Sequence, residues 1–230
     1  MIKTASHSRL MDFESCNFKA KLKYIDKIPE PERPLPPGKS EHANDRGTRI
    51  HTAAEMFVKG GIELISELNT FKTEFLKLRE LYKQKQVSLE GDWAVDKDWN
   101  PVAWQSADVW NRAKLDAFVR LSKTRAVIID FKSGRRFGNE VKHAEQGQLY
   151  QLMAFMRFPE LEEITVEFWY VDLDDIMSMA YTKPQGLRYI RNFNTRIIKM
   201  LSAETFPASR NKFACKYCPY NGNACTVGVR

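Results

Sequence analysis

The chain has 230 residues, room for one large domain or a core with helical additions, and its 43% hydrophobic and 12% aromatic content can fill a sizeable core. It has no run of 18 or more apolar residues, and MIKTASHSRLMDFESC lacks the apolar stretch of a secretory signal; no membrane span is expected, and a reducing, cytoplasmic setting is. The net charge of +7 is uneven: residues 183–230 carry nine Lys or Arg against one acid, Glu204, so this tail holds +8 and the rest −1.

Such a basic surface suits a polyanion such as nucleic acid, and equally a solvated face. Residues 28–47, IPEPERPLPPGKSEHANDRG, are rich in Pro and polar side chains and predict an exposed loop. TRIHTAAEMFVKG carries apolar residues at helical spacing and stops at Gly60-Gly61. A longer helix is expected over about 62–85. VSLEGDWAVD, 87–96, reads as a strand. In AKLDAFVRL, 113–121, Ala113, Leu115, Ala117, Val119 and Leu121 alternate with Lys114, Asp116, Phe118 and Arg120. AVIIDFK, 126–132, is the next strand, and a hairpin joins the two. A loop over 121–125 sets Asp116 opposite Asp130. Helix 140–157, strand 164–173 and an amphipathic helix over 186–202 follow, the last with a stripe of Ile190, Phe193, Ile197 and Leu201. The final stretch, FACKYCPYNGNACTVG, is short, irregular and rich in Cys.

Asp130 and Lys132 lie two apart in a strand and so share a face. Asp116 and Asp130, opposed on neighbouring strands, repel unless something compensates. A divalent cation is one compensation: the two carboxylates and the Phe131 carbonyl supply hard oxygen ligands. Lys132 then stands beside a scissile phosphate or an attacking water. The plainer reading is ion pairing, Asp130 with Lys132 and Asp116 with Arg120 or Lys114. Gln146 and Tyr150, in EQGQLYQLMAF, are four apart and share a helix face.

The four cysteines are Cys16, Cys215, Cys218 and Cys225. Three fall at C-x2-C-x6-C and one lies almost 200 residues away. In a reducing compartment, four thiolates point to one metal site rather than to disulfides. Zinc takes four thiolates, commonly from two C-x2-C pairs, and only one such pair occurs here.

The pattern Asp116…Asp130-x-Lys132 after a β-hairpin resembles the PD-(D/E)XK nuclease superfamily, and more narrowly the RecB-like exonucleases, including small CRISPR-associated and phage-encoded members. GTRIH, Gly47 to His51, resembles the helical segment whose histidine completes the metal site. Gln146 and Tyr150 match a Q-x-x-x-Y element that positions substrate, with Tyr150 stacking on a base or bonding a phosphate or water. SHSRLMDFESCNFKAKLKYI resembles the N-terminal helix start, and Glu90 sits where an acid often occurs on the first strand. Asp116 follows Leu115 rather than the Pro of the superfamily name.

The resemblance implies an α/β fold with a central mixed β-sheet flanked by helices, a restriction-endonuclease-like core. It implies one nuclease domain: a helical part over 1–86, the catalytic sheet and Q-x-x-x-Y helix over 87–175, and a basic helix with a Cys-rich tail over 176–230. It further implies a 4Fe–4S cluster on Cys16, Cys215, Cys218 and Cys225 that joins the two ends, with zinc as the lesser alternative. Catalysis would rest on Lys132, Asp116, Asp130, Gln146 and Tyr150, with Mg²⁺ or Mn²⁺ on His51, Asp116, Asp130 and the Phe131 carbonyl. The expected substrate is single-stranded DNA at its ends, tracked by the 183–216 surface and the 133–136 loop. A helicase or recombination protein would supply any unwinding. The competing reading is a non-catalytic DNA-binding accessory, against which the complete His, Asp, Asp and Lys set argues.

Overall fold

The computed structural model describes residues 1–32 and 34–229. In chain order the elements are β1 (Ala5–Ser6), α1 (His7–Ser15), α2 (Asn17–Tyr24), α3 (Ala43–Lys59), a 3-10 segment (Ser66–Phe71), α4 (Lys72–Lys83), β2 (Val87–Val95), β3 (Pro101–Val102), β4 (Asn111–Arg120), β5 (Arg125–Lys132), α5 (Glu140–Arg157), β6 (Glu163–Tyr170), β7 (Asp175–Thr182), α6 (Lys183–Leu187), α7 (Tyr189–Leu201) and α8 (Lys212–Lys216). No helix among the described residues is long and apolar enough to cross a membrane.

Seven strands form one mixed sheet in the order β3-β2-β4-β5-β6-β7, with β1 added against β4. β5 and β6 run parallel and are linked by α5 as a crossover helix; β1 is parallel to β4 and the other pairs are antiparallel. The expected mixed sheet flanked by helices is therefore present.

Two apolar layers cover the sheet. On one face Leu149, Leu152, Phe168, Phe193 and Ile197 pack beneath α5 and α7. On the other, Ile50, Phe57, Phe75, Phe131 and Trp169 pack beneath α3 and α4. A third cluster joins Leu22 of α2 to Tyr220 and Cys225 of the tail. Phe18 N–H donates to Pro207 O at 3.2 Å and the Tyr220 hydroxyl to Ile28 O at 2.9 Å, so the two ends of the chain clasp each other.

Several expectations need correction. α3 begins at Ala43, inside the segment expected to be loop, and Arg46 on its first turns pairs with Asp172 at 2.7 Å. Gly47 lets the helix approach the strand ends: a Cβ there would sit 3.3 Å from Ser133 Oγ. α3 does end at Gly60, which takes the left-handed φ of 88° that glycine allows. The helix expected over about 62–85 is a 3-10 segment followed by a helix only from Lys72, and Thr70 Oγ1 is drawn out to Val171 O at 2.9 Å. The strand expected to 173 stops at Tyr170, and β7, an edge strand, was not foreseen.

The alternation read over 113–121 also breaks. Ala113 and Leu115 pack on the α5 face, but Ala117 and Val119 pack on the α3 face. Leu121 lies outside the strand and is exposed. The change of face falls between the pairs Leu89↔Ala117 and Gly91↔Leu115, at Glu90 and Asp116, and Glu90 has a φ of 47°. A non-glycine residue in that region is strained, of order 1–3 kcal/mol.

Candidate active site

β4 pairs with β2 along one edge from Asn111 to Val119, with Asp116 left out of the register. On its other edge β5 covers residues 117–120 and β1 covers 111–112. Residues 113–116 face a gap there. The β4–β5 register runs to Ala117↔Ile129, so Asp116 and Asp130 would form the next rung, as hairpin arithmetic predicted, but the strands part there. Side chains replace the missing backbone partners: Asp116 Oδ2 accepts the Phe131 N–H at 2.6 Å, and the Tyr150 hydroxyl donates to Lys114 O at 2.8 Å.

His51 on α3 meets this gap, its Nδ1 2.8 Å from Asp116 Oδ1. Burial and the negative charge of Asp130 push the Asp116 carboxyl up, against the opposing pull of His51 and the Phe131 N–H. Burial alone would lower the His51 pKa, but its bond to Asp116 and the charge of both acids outweigh that and raise it. The two shifts have one origin, a surplus of negative charge in a poorly hydrated place. Glu90 adds to it: burial, then the charge of Asp116, raise its carboxyl.

Asp130 is 4% exposed. Its Oδ1 accepts from Gln146 Nε2 and from the Tyr150 hydroxyl, both at 3.2 Å. Its Oδ2 is buried and lies 2.5 Å from Lys132 Nζ, an ion-pair contact whose angles do not make a hydrogen bond. Lys132 Nζ donates to Gln146 Oε1 at 3.0 Å, and Gln146 Nε2 donates to the Tyr150 hydroxyl at 2.6 Å. Gln146 thus bridges the lysine, the acid and the tyrosine from one helix turn of α5.

Tyr150 is 4% exposed and its ring belongs to the core, which removes base stacking from its expected roles. Burial and the nearby acids keep its hydroxyl neutral, as a donor beside Asp130. Phe131 takes part through its backbone; its ring is buried against Phe75 and Trp169 and lies 6.0 Å from the His51 ring. Of the alternative ion pairs, Asp130 with Lys132 forms, whereas Lys114 turns to Asp92 and Arg120 to Glu160.

The donor set fits a hard divalent cation: two carboxylates crowded into surplus negative charge, with Asp130 Oδ2 buried and lacking a hydrogen bond. Among the described residues, no three His, Cys, Asp or Glu side chains converge as a ready single-ion site. His51 and Lys132 balance the two acids directly in this arrangement.

All four cysteines are free thiols, and all four line one cavity of about 390 Å³ between the α1–α2 junction and the tail. Cys16 Sγ accepts the Ser209 N–H at 3.3 Å, and Cys215 Sγ donates to Ser209 O at 3.6 Å. The expected basic surface is partly neutralised, since Arg196 pairs with Glu14 at 2.7 Å and Glu145 at 3.1 Å. Sequence reasoning gave no role to His7, which is buried beside Lys132 and Asp130 with its pKa lowered to about 4, chiefly by burial. Its place at a serine-flanked helix start was the available signal.

A family model described as the PD-(D/E)XK nuclease superfamily matches residues 4–225. A search of curated proteins returned no match. Among solved structures, one titled "Crystal structure of SSO0001" aligns with 100% of this chain and 89% of that chain, at 16% sequence identity and a TM-score of 0.51, a likeness of fold.

Proposed function

The chain belongs to the PD-(D/E)XK nuclease superfamily, whose members are generally metal-dependent nucleases, and on that premise we propose that it is a divalent-metal-dependent deoxyribonuclease acting as an exonuclease, with single-stranded DNA ends as substrate. The observation that carries this reading is the parting of β4 and β5 at Asp116 and Asp130, with Lys132 and His51 against the two acids. Asp116, Asp130, His51 and the Phe131 carbonyl would hold Mg²⁺ or Mn²⁺. The chemistry supplied at such a centre is activation of water and neutralisation of charge on phosphoryl oxygens.

This chain's own groups do the rest. Lys132 keeps an ammonium beside the reacting phosphate, to orient the nucleophile or offset developing charge. Gln146 fixes both Lys132 and Asp130, and Tyr150 holds Asp130 from the buried side. The ring of His51 is set by its bond to Asp116.

The same proposal includes a 4Fe–4S cluster on Cys16, Cys215, Cys218 and Cys225, in a structural role. What supports it is that four thiols from both ends of the chain line one cavity. The cluster would fasten the tail to the α1–α2 junction.

Digestion of labelled single- and double-stranded DNA and RNA with Mn²⁺ or Mg²⁺, native protein against Lys132→Ala, tests the function. Native cleavage of single-stranded DNA from its ends, lost in the variant, is expected. If neither protein cuts any of the four, the chain is a binding accessory and the reading fails.

A further inference from the structure

The gap on the β4 edge opens into a second cavity, of about 420 Å³. Its walls include Ser6, His7 and Arg9 at the start of α1, Trp104 ahead of β4, and Arg112 and Lys114 on β4. Gln146 and Tyr150 also line it, and these are the residues that hold Asp130. The cavity is therefore continuous with the candidate active site.

Its lining has three properties. The first is an aromatic ring with cations over it: the Arg112 guanidinium lies 4.8 Å and the Lys114 ammonium 6.0 Å from the Trp104 ring centre. The second is positive charge without a carboxylate. Arg9 donates to Thr4 O at 2.7 Å and Arg112 lies over Trp104, neither has a carboxylate partner among the described residues, and Arg112 Nε is buried without a hydrogen bond. The third is an unpaired polar group: His7 is 8% exposed and its Nε2 has no hydrogen-bond partner.

The first two properties each select a part of one ligand. Unpaired guanidinium groups beside a helix start ask for a phosphate, which accepts from several N–H donors at once. A partly exposed indole asks for a flat ring. A cavity of this volume holds a ligand of nucleotide size. Along β4, Arg112 and Lys114 lead to Asp116 at steps of about 7 Å, so a backbone gripped there is delivered to the acids.

We propose that this cavity is a nucleotide subsite for the strand being cut, with a base stacked on Trp104 and its phosphate held by Arg112 and Arg9. The subsite rests on the nuclease reading for its place in a reaction and specifies how that reaction's substrate is gripped. Because stacking accepts any base, it grips without reading sequence, and it requires an unpaired base.

The test uses the Lys132→Ala protein and a fluorescein-labelled twelve-residue oligothymidylate, with binding read by anisotropy. Trp104→Ala and Arg112→Gln in that background weaken binding by about 5- to 100-fold, whereas Trp104→Phe stays within about threefold. Thymidine 5′-monophosphate displaces the strand at lower concentration than thymidine or inorganic phosphate does, and Trp104→Ala abolishes that advantage. Unchanged affinity in both variants, or a nucleotide no better than phosphate, overturns the subsite. Should Trp104→Ala fail to fold by circular dichroism, Arg112→Gln and the competition series decide the matter. Failure of the nuclease reading is seen separately, as absence of cleavage by native protein, because the binding measurement needs no turnover.

Discussion

The carboxylate of Asp116 accepts the backbone N–H of Phe131 at 2.6 Å, one step beyond the last rung of the β4–β5 ladder. One oxygen of this acid therefore does the work of a strand, while the other faces His51. Asp116→Asn keeps an acceptor for Phe131 and removes the charge that crowds Asp130. In EDTA the variant should melt at or above the native protein. Excess Mn²⁺ should raise the native melting temperature, by the equivalent of about 2.7 kcal/mol at a hundredfold over Kd, and leave the variant unmoved. An equal response in both proteins would remove Asp116 from the metal site.

Lys132→Met keeps the aliphatic stem and loses the ammonium 2.5 Å from Asp130. Cleavage of DNA with Mn²⁺ should fall at least about 100-fold. Strand binding should stay within a few-fold, since the phosphate-gripping cations lie elsewhere. In EDTA the variant should also be less stable, by about 3 kcal/mol, because a buried carboxylate has lost its countercharge. Denaturant titration and a turnover assay on one preparation check both halves.

The pH response has a definite sign. His51 is raised, so its stabilising charge is fully present below about 6.5 and is lost as the pH climbs through the raised value. Asp116 is raised as well, so its unfavourable charge grows as the pH climbs from the ordinary carboxylate range. Both act in one direction: as the pH falls through the raised His51 value, this pair adds stability to the metal-free protein. His7 and His143, each lowered to about 4, act the other way: as the pH falls through about 6.5 the unfolded chain takes up their protons and the folded chain does not, so each removes stability. Thermal melts in EDTA should show native protein gaining stability relative to Asp116→Asn as the pH falls, since His7 and His143 contribute equally to both.

Tyr150→Phe removes the hydroxyl that serves Lys114 O at 2.8 Å and Asp130 at 3.2 Å. The single hydroxyl proton is shared between a buried carbonyl and a buried carboxylate, so one donor is lost, at a cost of about 1–3 kcal/mol. Turnover should fall more than strand affinity, since the ring is buried in the core and only the acid is loosened. A rise in KM alone would instead make Tyr150 a substrate contact.

Cys218→Ser, purified without oxygen, should lose visible absorption and melt earlier, because the tail is then held by the Leu22–Tyr220 packing and the Phe18–Pro207 and Ile28–Tyr220 hydrogen bonds without the cluster. Native protein that carries stoichiometric zinc and no visible band would replace the cluster with a single ion.

Much of the centre was legible in the chain because local rules govern it. Asp130 and Lys132 were placed on one face by strand parity, and hairpin arithmetic set Asp116 against Asp130. Gln146 and Tyr150 were paired by helix spacing, and their mutual bond follows from it. What escaped is tertiary. The even alternation of 113–121 gives no sign that the strand changes face at Asp116, since the cause is the strained φ of Glu90 on the neighbouring strand. β7 was missed because DIMSMAYT, exposed along an edge, carries little apolar contrast. His7 looked like a polar helix start, and it is buried where α1 packs against α2, α7 and β1.

The clasp between Phe18 and Pro207, and between Ile28 and Tyr220, has a consequence for assembly order. Contacts between residues so far apart in sequence are entropically the most expensive to close, and they are rewarded only after the intervening sheet exists. The tail should thus dock last, onto a body already formed, in a slow final phase. Whatever fastens those thiols would then act as a seal on finished molecules and leave half-folded ones open to proteolysis.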